Sequence, residues 1–177
     1  MLNTARRPGP FAAQRIAQLL QVVNWLSDRC GRSVPSIVDM DYLRSLPAES
    51  FGYAWARHLD ANHLQPLDQG PRRQQLHDGV HVLTDYGTDP VGEAEVQAFL
   101  LGAKFHIANL LILGGILRGL HQERHHFSVL DASTVNLRLK AAYRRGQCAQ
   151  FDPYRWQPEG LWECPLPVVR AQFGLAA

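Results

Sequence analysis

The stretch FLLGAKFHIANLLILGGIL (residues 99–117) limits the fold more than any other part of the chain. About 20 apolar residues suffice to span a bilayer as a helix, and this run approaches that length. Lys104, His106 and Asn109 stand in its middle, where each would be costly in lipid. The run therefore reads as the second half of one long buried helix, from Val91 to about Leu120. Gly102, Gly114 and Gly115 let neighbours approach it closely, or leave room for something slender between helices. His106 reads as a satisfied core histidine.

The rest of the chain follows helical periods, with no convincing alternating strand pattern. Phe11 to Cys30 has its apolar residues on one side, with Gly31 as a stop. Ser36 to Leu46 forms a short helix, and Pro47 opens another to about Asn62 with Phe51, Tyr53, Trp55 and Leu59 inward. Residues 63–71 are loop. Arg72 to Leu83 is helical despite Gly79. Tyr86-Gly87-Thr88-Asp89-Pro90 is a turn in which Asp89 caps the next helix and Pro90 enters its first turn. His121 to Phe127 is a polar loop, and Asp131 to Gly146 a helix stopped by Gly146. The proline-rich C-terminal segment holds short helices and turns packed by Trp156 and Trp162. At 177 residues this is an all-α, single-domain helical bundle with a long central apolar helix, long enough to bury a core without staples.

Bulk numbers exclude several classes. The chain is 46% hydrophobic and 19% charged, so it is globular. Its net charge of +2, from 18 basic and 16 acidic residues, gives no case for nucleic acid. Cys30, Cys148 and Cys164 are an odd, scattered set, which argues against a disulfide frame or a thiolate zinc site. A reducing, cytoplasmic setting is expected, with no signal or transmembrane segment. The amphipathic N-terminal helix offers a face for a homodimer.

The chemistry concentrates in QQLHDGVHVLTDYGTDPVGE, residues 74–93. His77 and His81 are four apart and share a helical face, with Asp78 at its edge. The turn at Gly87 brings the chain back, and Glu93 lies in the first turn of the next helix. Two imidazoles and two carboxylates suit a divalent cation of borderline hardness. Zinc fits best; iron and manganese are alternatives, and magnesium is less natural for imidazole. Asp78 has a second role open to it, orienting a histidine. The cation would act as a Lewis acid or activate a water. The bland alternative is a chance histidine pair on a salt-bridged surface. The apolar run just beyond Glu93 favours the site, because ligand pockets pair apolar walls with a few placed polar groups. His121, His125 and His126 read as a solvated loop, and Arg144 and Arg145 as a helix end able to meet a phosphate or headgroup. No phosphate-binding or dinucleotide glycine motif is present.

His77-Asp78-x-x-His81-x(11)-Glu93 resembles the metal-binding signature of the ubiquinone (coenzyme Q) biosynthesis family Coq-four. LPAESFGYAWARHLDANHL, VGEAEVQAF, AAYRRG and WQPEGLWECPLPVVRAQFGL are similar to further family segments, so the likeness runs from about Leu46 to Leu175. The resemblance implies an all-helical protein holding a divalent metal, usually zinc, through His77, Asp78, His81 and Glu93. It implies work on polyprenylated aromatic intermediates: oxidative decarboxylation of the ring, or organisation of the quinone-biosynthesis enzymes as a non-catalytic prenyl-lipid-binding scaffold. It further implies peripheral contact with the inner face of a membrane. The prenyl tail is expected along Leu100, Leu101, Phe105, Leu110 and Leu111, a set chosen from the apolar run. Asp78 or Glu93 is the candidate base where it is not a ligand. A third reading, a metal phosphohydrolase acting on prenyl phosphates, lacks the further downstream aspartate such a site needs. The stretch HVLTDYGTDPVGE departs from the family pattern at Asp85 and Tyr86. No mitochondrial targeting segment is evident, so a bacterial protein is expected.

Overall fold

The computed structural model describes residues 34–122 and 131–175. The expected N-terminal helix, with Cys30 and Gly31, and His125 and His126 lie outside these residues. The order of elements is α1 (Met40–Ser45), α2 (Phe51–Asn62), α3 (Arg72–Gln75), α4 (His77–Thr84), α5 (Pro90–Ala103), α6 (Ile107–Gln122), α7 (Ala132–Cys148), a 3-10 turn (Pro158–Gly160) and α8 (Leu166–Gln172). Among the described residues the sole extended pairing is an isolated antiparallel bridge between Ser50 and Pro165. The all-helical reading therefore holds. Contacts group the chain into two units, one of residues 34–85 with 148–175, the other of residues 86–147.

In the first unit, side chains at the helix starts fix where each helix begins. Asp39 accepts from the backbone of Asp41 and Tyr42 and opens α1. Ser50 accepts from Tyr53 N and opens α2, so α2 starts after Pro47 rather than at it. The C-terminal segment is stitched to this start: Phe51 N donates to Cys164 O at 2.8 Å and Gly52 N to Trp162 O at 2.9 Å. Phe51, Trp55, Trp156 and Trp162 form one buried aromatic cluster, with Trp55 stacked on Trp156 at 5.9 Å and Phe51 on Trp162 at 5.8 Å. Each ring removes a large apolar area from water and adds an offset or edge contact. Trp156 and Trp162 thus pack not only their own segment but the whole unit.

In the second unit, the expected single long helix is two. Helix α5 ends at Lys104, whose backbone is extended (φ −154°, ψ 108°). His106 Nδ1 then accepts from Ala108 N at 3.1 Å and starts α6. The physical reason is local: the histidine competes for a backbone donor as a cap does, and breaks a run whose apolarity gave no sign of a stop. His106 is accordingly a half-buried capping residue. Helix α5 is buried along nearly its whole length. It crosses α7 where Gly102 meets Gly146; a Cβ on Gly146 would lie 2.1 Å from Phe99 O, and one on Gly102 2.1 Å from Tyr143 O. Gly146 is therefore a crossing point inside α7, not its stop. Among the described residues nothing lies within 4 Å of a Cβ placed on Gly114 or Gly115, whereas Gly102 is in close contact. The buried Glu95 is held by both oxygens on Arg138, at 2.8 and 2.5 Å. No helix of the described residues is long and apolar enough to cross a membrane.

Candidate metal centre

Helix α4 is shaped by what surrounds it. Gly79, the residue after Asp78, faces two indole rings; a Cβ there would stand 2.2 Å from Trp55 Cζ3 and 2.7 Å from Trp156 Cη2. Only a glycine lets the aromatic cluster support this helix from below. Thr84 closes the far end through Val80 O, and Asp85, in the left-handed region at φ 64°, ends the helix. Arg170 of α8 donates to Val82 O at 2.8 Å and satisfies one of the terminal carbonyls. At the near end, Gln75 donates to Val34 O and accepts from Ile37 N. Arg72 is held by Glu159.

On this fixed helix, His77 is half-buried and His81 is 2% exposed. Their Nε2 atoms stand 3.3 Å apart, with the rings edge-on at 83°. Two nitrogens ~2.0–2.1 Å from a tetrahedral cation stand roughly 3.3–3.4 Å from each other, from zinc–nitrogen distances. The pair thus already has the spacing of two ligands of one ion. In the absence of an ion the same spacing suits one ring N–H donating to the other nitrogen. The donor set therefore fits a cation of zinc type. His58, on α2, stacks on His81 with centroids 5.5 Å apart and planes 22° apart. The sequence reading did not single out His58. Its signal is a third imidazole at position 58, with no local motif to mark it.

The second sequence-expected carboxylate, Glu93, lies in the first turn of α5, as read. Asp89 opens this helix by accepting from Val91 N at 2.9 Å and Gly92 N at 3.3 Å, with Pro90 in the first turn. Asp78 is half-buried on α4.

The five residues expected to hold an apolar tail divide. Leu100 and Leu101 are buried at 3% and 8% exposure, whereas Phe105, Leu110 and Leu111 are exposed at 70%, 46% and 69%. Leu101 lines an open cavity of about 300 Å³ with Ala98, Leu113, Leu139, Tyr143 and the cationic Lys140 and Arg144. Arg145 instead lies over the Tyr86 ring, 5.5 Å from its centroid. Sequence reasoning missed Leu113, Leu139 and Lys140, because a cavity between three helices is not visible in the pattern of any one.

An all-helical fold carrying a paired-imidazole centre is the class that these features define. No family model matches the chain. It is similar to the mitochondrial ubiquinone biosynthesis protein COQ4 homolog of Bos taurus, at 27% identity over 154 residues. That match covers 79% of this chain and 56% of the relative. It is similar to the mitochondrial ubiquinone biosynthesis protein COQ4 of Saccharomyces cerevisiae, at 28% identity, over 75% of this chain and 44% of the relative. The chain spans about half the length of these curated relatives. A crystal structure of a Nostoc punctiforme protein, described as a candidate ubiquinone biosynthesis protein, matches with a TM-score of 0.64 at 18% identity. It covers 95% of this chain and 83% of that one, and that likeness shows the fold. The resemblance to Coq-four proteins read from the signature is thus matched by relatives of that name.

Proposed function

We propose that this chain is a metal-dependent protein of ubiquinone-like prenylquinone biosynthesis that binds a polyprenylated aromatic intermediate and supports oxidative decarboxylation of its ring. One observation carries the reading: on α4 the Nε2 atoms of His77 and His81 stand 3.3 Å apart, the spacing of two ligands of one ion. Glu93 is the carboxylate ligand in this reading, and Asp78 takes the role of an orienting neighbour or proton acceptor. Similarity to relatives named for ubiquinone biosynthesis supports the step from a cation centre to this pathway.

A divalent cation held here would supply positive charge beside a ring carboxylate and an adjacent oxygen. His77 and His81 would hold it through their facing Nε2 atoms. Buried His81 fixes the geometry, because its ring is packed against His58 and cannot swing. Replacing a ring carboxylate by hydroxyl releases carbon dioxide and consumes dioxygen with two electrons and two protons from a reductant. Zinc contributes none of those electrons. The apolar tail follows the cavity containing Leu101, and Lys140 and Arg144 suit any anionic group at its rim.

A second reading, a non-catalytic carrier that presents prenyl lipids to partner enzymes at a membrane surface, is favoured by a separate observation. Phe105, Ile107, Leu110, Leu111 and Ile112 are all exposed at the start of α6 and just before it. Apolar exposure on that scale marks an interaction surface.

Metal analysis of protein purified without chelator tests the centre. About one zinc-type ion per chain is expected, lost in His77→Ala and in His81→Ala, with far-ultraviolet circular dichroism retained by at least one variant. Wild-type protein free of metal would overturn the reading. Turnover of a prenylated hydroxybenzoate by wild type alone selects the enzyme; prenyl-lipid binding retained by the metal-free variants, with no turnover by any, selects the carrier.

A further inference from the structure

Phe51, Trp55 and His58 stand at intervals of four and three residues on α2, so they form one stripe along a single face. The later part of this stripe meets α4. A Cβ on Gly79 would lie 2.2 Å from Trp55 Cζ3, and the His58 ring stacks on that of His81. Successive turns of α2 thus seat Gly79 and His81, two positions of the histidine helix. The end of α2 is pinned beneath His58. Asn62 Nδ2 donates to His58 O at 2.8 Å, Leu64 N donates to Leu59 O at 2.9 Å, and His63 turns the chain in the left-handed region at φ 55°. All these residues belong to the unit of residues 34–85 and 148–175.

A histidine ring needs a neighbour if it is to hold one plane. Its χ2 torsion is broad and roughly two-fold, unlike the staggered χ1. Rotation about χ2 turns the Nε2 lone pair of His81 away from His77. Two contacts oppose that rotation. His58 lies across the face of His81, with planes 22° apart, and His77 meets it edge-on at 83° with centroids 5.0 Å apart. A flat ring resists the rotation over its whole face. An aliphatic side chain presents no plane and leaves the ring free to rock.

We propose that His58 is a positioning residue of the cation centre. Its ring sets the plane of His81 and so keeps the Nε2 atoms of His77 and His81 at the 3.3 Å that one ion needs. The inference rests on the centre proposed above. It adds that the ion's fit is governed from a second helix by a residue that is not a ligand, in the manner of the outer-shell partners that orient ligating histidines.

The test is zinc titration against a competing chelator, with cobalt(II) as a spectroscopic probe, on wild type, His58→Ala, His58→Leu and His58→Phe. Cobalt(II) absorbs strongly in a tetrahedral site and faintly in an octahedral one. His58→Ala and His58→Leu remove the flat ring and should bind zinc about 10- to 100-fold more weakly, the range for losing an outer-shell partner. Their cobalt band should fall below that of wild type. His58→Phe keeps a flat ring without its nitrogens and should bind zinc within about threefold of wild type, well inside that range, with the wild-type cobalt band. Zinc affinity and a cobalt band unchanged in His58→Ala and His58→Leu overturn the proposal. A His58→Phe variant as weak as His58→Leu overturns it as well, because the nitrogens and not the plane would then matter. Failure of both His58→Ala and His58→Leu to fold, read by circular dichroism, overturns it too, since His58 would then be holding the helices together. A wild type that binds no metal removes the centre and this inference together; a wild type that binds it while every variant binds equally removes this inference alone.

Discussion

Arg72 begins the turn that leads into His77, and both oxygens of Glu159 hold its guanidinium, each at 2.5 Å. The same arginine donates to Trp156 O at 3.1 Å. One side chain thereby ties the C-terminal segment to the foot of the histidine helix. The hydrogen bond from Arg72 holds the Glu159 carboxyl below its usual range. Folding therefore releases a proton from Glu159 more readily than the unfolded chain does. The resulting stability is full above the unfolded carboxylate value of about 4.3 and is lost as pH falls through the lower folded value. Glu159 is 42% exposed, so screening limits the pair to about 0.5–1 kcal/mol. Glu159→Gln should lower the urea unfolding free energy by that amount at pH 7 and by nothing near pH 2. An equal deficit at both pH values would remove the ionic account. Neither residue's partner was legible in the chain, because 87 positions separate them.

Among elements, α5 and α7 depend on a crossing of bare backbones. A methyl at Gly146 would meet a carbonyl, which cannot move aside as a flexible side chain does. Gly146→Ala is expected to cost about 1–3 kcal/mol, the range for overpacking a core, and thermal melting measures it. Gly115→Ala is the control: among the described residues nothing would meet its Cβ within 4 Å, and removing a helix glycine should stabilise by up to about 1 kcal/mol. Equal changes at both positions would show that the crossing does not set the effect. The start of α5 was readable from sequence, since Asp89 and Pro90 are local signals acting on the next three residues. Its end was not. Lys104 and His106 are polar breaks in an apolar run, and only the capping bond to Ala108 makes them a boundary.

At the scale of the molecule, the exposed apolar residues of α6 bear on where the protein works. Leu111 is 69% exposed, and moving such a side chain from water into lipid gains about 1.5–3 kcal/mol. Leu111→Glu should therefore weaken binding to phosphatidylcholine vesicles by at least about tenfold without lowering the melting temperature; flotation with vesicles measures it. Unchanged flotation would remove the membrane contact from the proposal. Sequence alone settled what depends on near neighbours: an all-helical chain, the spacing of His77 and His81 on one face, and a cap placing Glu93 in a first turn. These follow from a period of 3.6 residues and from side chains that bond their own backbone. Tertiary structure alone decided what depends on residues far apart in the chain. It set His58 against His81, buried Leu100 and Leu101 while leaving Phe105, Leu110 and Leu111 exposed, and made Gly79 the seat of two indole rings. Such contacts are fixed by which surfaces exclude water together, and no local period encodes that.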